Sequence, residues 1–426
     1  MSTDRTAADR GSALPAGLER VYPMGSDLGP GGALRIAGCD ARDLAREFGT
    51  PAYVYAEDDL RDRARTTRDA FATRTDRFEV LYASKAFPCT AALRIFAEEG
   101  LSVDCASGGE LHLALNAGFD PERIYLHGNN KSEAELEQAV EAGVGHVIVD
   151  SFDEIERLER VAGASGQRIL LRVTPGIEPE THKAIRTGQE DSKFGIPMLE
   201  VERALERIGR SGLELRGLHA HIGSQVFDLD VYESLADVLR QIGDYPLLNL
   251  GGGFAIAYTR EDRPPPAEEY AEAMLAHAPE GVTVLCEPGR SLVGNAGLSL
   301  YTVGTVKEIP GVRTYVAVDG GMADNIRPML YGAVYEADVV DRFGDSTACR
   351  IVGMHCESGD ILVGEGALED PRPGDVLAVP ATGAYGHAMA SNYNAVPRPP
   401  VVFCKDGDAR LVVRRETYDD LTRRDV

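Results

Sequence analysis

Leu247-Leu248-Asn249-Leu250-Gly251-Gly252-Gly253-Phe254 places a short apolar run directly before three consecutive glycines. Without a Cβ, such a loop lets backbone N–H groups approach and wrap an anion, although three glycines also make a tight turn with no ligand at all. The surroundings decide between these. Six apolar runs precede it, at 80–83, 102–105, 124–127, 146–149, 169–173 and 217–221, and one follows at 282–286. With 247–250 they make eight, separated by segments of helical periodicity. Eight β-then-α units over roughly 220 residues fit a closed (β/α)8 barrel of the TIM type, whose chemistry sits at the C-terminal strand ends and whose phosphate sites favour the loops after strands seven and eight. An open, doubly wound sheet satisfies the same periodicity. The glycine loop follows the seventh run, the place where a barrel favours a phosphate, and this tips its reading toward an anion. Three connecting helices open on capping-box spacing, Ser107…Glu110, Ser132…Glu135 and Ser151…Glu154, and Pro197 starts an amphipathic run over 198–208.

After Gly297 the texture changes to β-rich runs at 302–309, 315–318, 376–381 and 400–404, broken by Gly and Pro. That pattern predicts a second, mostly antiparallel domain. The expected organisation of this α/β chain is a tail and strands at 1–48 that join the β domain, a barrel at 49–298, and a C-terminal β domain at 299–426.

Composition excludes several classes. The 426 residues carry 44 Lys plus Arg against 68 Asp plus Glu, a formal charge of −24, which repels phosphate backbones and argues against nucleic acid as a partner. No apolar run is long enough for a membrane span. The first twenty residues read as a polar tail rather than a signal peptide. Seven scattered cysteines with no CxxC pair suggest reduced thiols and a cytoplasmic location.

Only six residues are Lys, so Lys85, at the end of the first strand in Tyr82-Ala83-Ser84-Lys85-Ala86, stands out. A partly desolvated Lys at a barrel mouth can attack a carbonyl as an imine-forming amine; a snorkelling charge is the plainer reading. Cys286-Glu287-Pro288-Gly289-Arg290 sets a carboxylate and a guanidinium beside the glycine loop. His219 and His221 lie two apart and face one side of a strand. No Cys/His cluster completes a metal site around them, so no metal is expected, and a packed core His or a ring stacked on a planar cofactor accounts for either. In the second domain, Arg327 and Tyr331 are four apart and able to converge on a carboxylate, where a surface ion pair is the default. His355-Cys356-Glu357-Ser358-Gly359-Asp360 puts a thiol beside acids, and Thr382-Gly383-Ala384-Tyr385-Gly386 presents a hydroxyl in a turn.

In order, YASKA (82–86), DCASGGEL (104–111), GLHAHIGSQ (217–225), NLGGGF (249–254), CEPGR (286–290), DNIRPMLYGA (324–333), CESGD (356–360) and GAYG (383–386) resemble the motif series of the diaminopimelate decarboxylases, within the alanine-racemase-like pyridoxal-phosphate enzymes. The resemblance runs from about residue 49 to 401, and the segment from Glu190 to Gly195 also looks like a family loop near the far end of the substrate. It implies a barrel that binds pyridoxal 5'-phosphate, a β domain, and a homodimer with shared active sites. By the same resemblance Lys85 holds the cofactor as an imine, Gly251, Gly252, Gly253, Ser224, Gly289, Arg290 and Tyr385 contact its phosphate, His221 stacks on its ring, and Glu287 pairs with its pyridine nitrogen. Cys356 returns a proton to the carbanion. Arg290, Arg327, Tyr331 and Tyr385 meet the distal carboxylate side of the substrate, and Glu357 its ammonium. The implied reaction converts meso-2,6-diaminopimelate to L-lysine and carbon dioxide, the last step of bacterial lysine synthesis. A related decarboxylase for another basic amino acid or a carrier-bound acyl substrate, and a non-catalytic cofactor-binding paralogue, are the competing readings.

Overall fold

The computed structural model describes residues 11–163, 166–176 and 192–426, which form two compact units. One comprises residues 61–255 and 264–292. Its eight parallel strands, β1 (Phe78–Ala83), β2 (Ser102–Cys105), β3 (Ile124–Leu126), β4 (His146–Val149), β5 (Arg168–Thr174), β6 (Glu214–His219), β7 (Leu247–Asn249) and β8 (Thr283–Cys286), pair in chain order. Val284 of β8 returns to Phe78 of β1, so the sheet closes. Closure decides against the open sheet. Strands buried on both faces need near-continuous apolar runs, which is why Val147, Ile148 and Val149 or Ile169, Leu170 and Leu171 are all inaccessible. Leu81, Tyr125, Ile148, Leu170 and Leu285 pack together inside the barrel. A short strand, Ile196–Pro197, pairs with the end of β5.

The three capping sequences do different work. Ser132 and Glu135 form the reciprocal box that their spacing predicts. At the other two sites the serine caps the helix, but the glutamate reaches one residue further back. Glu110 accepts the Ala106 N–H at 2.7 Å and the Ser84 hydroxyl at 2.8 Å, next to Lys85. Glu154 accepts the Asp150 N–H and lies 2.6 Å from Lys131 Nζ. Both carboxylates are buried enough to take the stronger partner in preference to the N-cap amide.

The second unit comprises residues 1–60, 256–263 and 293–426, of which 1–10 lie outside the described residues. Its spine is the strand Gly297–Ile309. The first half pairs antiparallel with Ala52–Ala56 on one side and Val376–Pro380 on the other; the second half pairs with Arg313–Val318. Thr347–Val352, Ile361–Leu368, Val401–Lys405 and Asp408–Val413 extend the sheet, and antiparallel pairings outnumber parallel ones. Boundaries expected at 49 and 298 therefore shift. Ala52–Ala56 is as buried and apolar as a barrel strand, and only its partners, Gly297–Leu300 and Val401–Cys404, reveal its sheet. The strands before residue 49 belong to this unit, though not to that sheet. Asp27–Leu28, Leu34–Ile36 and Cys39–Asp40 form a separate three-stranded sheet, whose Leu34 and Ile36 pack in one core with Val54, Leu298 and Val402.

Lys131 is the strongest structural ion of the barrel. Its ammonium is buried, donates to Gly128 O at 2.7 Å and Ile148 O at 2.8 Å, and pairs with the fully buried Glu154. Removing one member leaves the other charged and dry. Lys131→Met is expected to lower unfolding free energy by about 3–5 kcal/mol in urea titrations, and adding Glu154→Leu to restore most of it. An unchanged urea midpoint in the single variant would contradict this account.

Candidate active site

The polar groups of the barrel's candidate site lie at or just beyond the C-terminal ends of its strands. Glu287, just after β8, is 5% exposed. Asn249 at the end of β7 donates to its Oε1 at 2.7 Å, His127 Nε2 after β3 lies 2.9 Å from the same oxygen, and His219 Nε2 on β6 is 3.3 Å from Oε2. Burial alone would push the Glu287 carboxyl up; His127 and His219 outweigh it and hold it well below the usual carboxylate range. Burial depresses His219 to about 4, against a partial opposing pull from Glu287. The result is a buried anion contacted by Asn249, His127 and His219. His127, His219 and Glu287 could also gather round a metal ion, their ligand atoms lying within 4.8 Å of one another.

The glycine loop lies against this carboxylate. A Cβ on Gly252 would stand 2.1 Å from the Glu287 carbonyl oxygen, and Gly253 adopts φ +110° with a hypothetical Cβ 2.8 Å from Tyr232 Oη. Neither position accepts a side chain. The Glu287 N–H donates to Gly251 O at 2.9 Å, and His221 Nδ1 accepts the Gly252 N–H at 3.2 Å. Burial, then the charge of Lys85, keeps the His221 ring well below its ordinary pKa. β6 ends at His219, so His221 lies beyond the strand and serves the glycine loop, while His219 serves Glu287. Arg290 is buried and donates to Ser224 Oγ at 2.8 Å. Gly289 packs against Ala83, where a Cβ would come within 3.0 Å of the alanine's own. Lys85 Nζ is 3.5 Å from Asp104 Oδ2, and neither oxygen of this buried carboxylate has a hydrogen-bond partner.

The remaining sequence-marked residues belong to the β unit. Arg327 opens a five-residue helix ending at Tyr331. Its buried guanidinium donates to Tyr335 Oη and lies over the rings of Tyr258 and Tyr385, 4.9 Å and 6.0 Å from their centroids. Its Nε has no hydrogen-bond partner. Cys356 and Glu357 are exposed in the turn after Thr347–Val352. The other six cysteines are buried. Of the loop starting at Glu190, Glu190 and Asp191 lie outside the described residues; Phe194 stacks under the Arg172 guanidinium at 4.4 Å, and Gly195 N–H donates to Asp150.

Asp104, His127 and Asn249 carry no role in the sequence reading, although they touch its chosen residues. One signal marks all three: a polar side chain at the C-terminal end of a barrel strand, where a purely structural barrel would keep apolar packing.

Comparison with known proteins agrees with this geometry. The family described as "Pyridoxal-dependent decarboxylase, pyridoxal binding domain" matches residues 57–294. Diaminopimelate decarboxylase of Bacillus subtilis (strain 168) is 48% identical, with 93% of this chain and 95% of that protein aligned. The chain belongs to the diaminopimelate decarboxylase family. The Mycobacterium tuberculosis (strain H37Rv) member is 45% identical over 95% of this chain and 98% of its own length. A crystal structure of diaminopimelate decarboxylase from M. jannaschii in co-complex with L-lysine superposes with a TM-score of 0.89 at 31% identity, covering 97% of this chain and 99% of that one.

The barrel residues suit pyridoxal phosphate on their own terms: a cradle that a Cβ would fill, a guanidinium and a hydroxyl beside it, a buried anion able to face a pyridinium nitrogen, and a lysine amine.

Acid should expose the electrostatics. An unfolded His ionises near 6.5, whereas folded His219 resists protonation until about 4. Its contribution is intact above the unfolded value and is lost as pH falls from about 6.5 to 4, by about 3 kcal/mol. His146 and His387, also depressed to about 4 by burial, act with the same sign. The depressed Glu287 adds its loss below the ordinary carboxylate pKa. His219→Asn is expected to flatten part of the decline in urea midpoint between pH 6.5 and 4. A superimposable pH profile would show that this histidine is not held neutral.

Proposed function

We propose that the protein decarboxylates meso-2,6-diaminopimelate to L-lysine with pyridoxal 5'-phosphate as cofactor, the last step of lysine synthesis, in the cytoplasm. The observation that carries this reading is the anionic Glu287, buried beside the glycine cradle in a family of this activity. Pyridoxal phosphate, when bound, supplies the electron sink for the bond pair that departing carbon dioxide leaves behind.

The chain supplies everything else. Lys85 tethers the cofactor through its amine, with the Asp104 carboxylate 3.5 Å away as counter-charge when that amine is released as an ammonium. Backbone amides of Gly251, Gly252 and Gly253, the Ser224 hydroxyl, the Gly289–Arg290 turn and Tyr385 hold the phosphate. Glu287 would pair with the pyridine nitrogen and favour its protonated form, and Asn249, His127 and His219 hold the carboxylate in place for it. His221, oriented by the Gly252 N–H, would stack on the cofactor ring. Cys356 delivers the proton that replaces carbon dioxide. Arg327, with its unsatisfied Nε, grips the distal carboxylate together with Arg290, Tyr331 and Tyr385, and Glu357 takes the distal ammonium. A substrate lacking that carboxylate leaves a buried cation unpaired, a strong basis for discrimination.

The active form is a homodimer with shared sites. Met329, Leu330, Val334 and Met354 are exposed apolar side chains close in sequence to Tyr331 and Cys356, and the exposed Tyr393 stacks on His355, a concentration that suits a second copy of the chain. No helix among the described residues is long and apolar enough to cross a membrane.

Product analysis tests the reaction. Purified protein with pyridoxal phosphate and meso-diaminopimelate is expected to release lysine and carbon dioxide in equal amounts, and Lys85→Ala to release neither. Cofactor absorbance without lysine would redirect the assignment to another amino acid or a carrier-bound substrate. Mixing Lys85→Ala with Cys356→Ala tests sharing: hybrids should turn over well above the slow residual rate of Cys356→Ala, and verified hybrids that stay at that residual rate would exclude it.

A further inference from the structure

The turn that carries Cys356 is held from two sides. On the inner side stands Asp360, 3% exposed. Its Oδ1 accepts the Met322 N–H at 2.6 Å, and its Oδ2 accepts the His355 N–H at 2.8 Å and lies 2.9 Å from His355 Nδ1. The chain leaves space for this carboxylate: a Cβ on Gly353 would come within 2.2 Å of it. Main-chain bonds from Glu357 N–H to His355 O and from Asp360 N–H to Glu357 O close the turn.

On the outer side is Asn394. Its side-chain oxygen accepts the Cys356 N–H at 2.9 Å, while the neighbouring Tyr393 ring stacks on His355 at 5.8 Å and 23°. Asn394 and Ala395 both have left-handed backbone, φ +55° and +57°. Asn tolerates that region; Ala does so at a cost of about 1 kcal/mol or more. Two successive residues in this conformation persist only where the surrounding structure fixes them. Here the result is that Asn394 turns back toward the amide of a thiol-bearing residue that is otherwise exposed.

We propose that Asn394 is a positioning residue for Cys356: by fixing the Cys356 amide against the Asp360–His355 anchor, it sets the direction from which the thiol delivers its proton. The inference rests on the assignment of Cys356 as proton donor. Asn394 touches neither substrate nor cofactor in this role. It acts on proton delivery and not on ground-state binding, so its loss should appear in kcat and leave KM alone. A misplaced donor also surrenders stereochemical control, because water can then reach the carbon from either side.

Asn394→Gly deletes the acceptor yet accepts the left-handed backbone, and Asn394→Asp restores an acceptor of the same shape. Three readouts are made on the holoenzyme. Turnover in D2O should give wild-type lysine deuterated in one configuration at the carbon that lost carbon dioxide. Asn394→Gly should give a mixture, with kcat lowered between about 10- and 100-fold and KM unchanged, while Asn394→Asp returns to one configuration. Separately from turnover, iodoacetamide reads the thiol, since Cys356 is the one exposed cysteine. Its alkylation rate should change several-fold in Asn394→Gly and much less in Asn394→Asp. Single-configuration lysine from Asn394→Gly, with wild-type alkylation, overturns the positioning role while Cys356→Ala still scrambles the label. Single-configuration lysine from Cys356→Ala overturns the proton-donor assignment and this inference with it.

Discussion

The Glu287 carboxylate has been taken almost wholly out of water, and much of the barrel mouth consists of what keeps it charged there. Moving a carboxylate into a protein interior costs several kcal/mol even after relaxation. Hydrogen bonds to charged groups return about 1.5–3 kcal/mol each, so two or three well-placed donors are required before ionisation is favourable. Asn249, His127 and His219 come from β7, the end of β3 and β6. Strands on several sides of a closed barrel must therefore be in register before this one anion is stable. A barrel that failed to close would leave the carboxylate without these donors.

The same constraint couples the two ends of the cofactor cleft. Gly252 lies against the Glu287 backbone so closely that no other residue fits, and the Glu287 N–H is bonded to Gly251. The cradle and the carboxylate thus form one rigid piece. A planar ligand with an anionic tail and a basic nitrogen is measured against a fixed length. Loops can vary around such a piece without disturbing it.

Much of this is legible in the sequence because barrel strands buried on both faces are uninterrupted apolar runs. All eight are visible as runs, but closure is not, because periodicity fits an open sheet equally well and only the pairing of Val284 with Phe78 decides it. The misreadings have physical causes. Ala52–Ala56 is a buried apolar run too, and local pattern carries no information about which sheet receives it. Thr347–Val352 and Ile361–Leu368 alternate half-buried with buried residues and contain Arg or Gly, so they lack the signature of a core strand. Glu110 and Glu154 occupy capping-box positions, but burial drew them to partners that spacing cannot show. Asp104 and His127 escaped notice because a single polar residue at a strand end looks ordinary until the strands converge.

The strand Gly297–Ile309 has a consequence for the order in which the protein can assemble. Its neighbours in the sheet include Ala52–Ala56, made some 240 residues before it, and Val376–Pro380, made about 70 residues after it. On a ribosome, the barrel segment is complete while the early strand is still without a partner. The waiting sequence, Ala-Tyr-Val-Tyr-Ala, is uncharged, aromatic and β-prone, the kind of segment that pairs with copies of itself. For this protein the hazardous interval is therefore set by translation: from the emergence of residue 56 until residue 300 arrives, and a slow ribosome lengthens it.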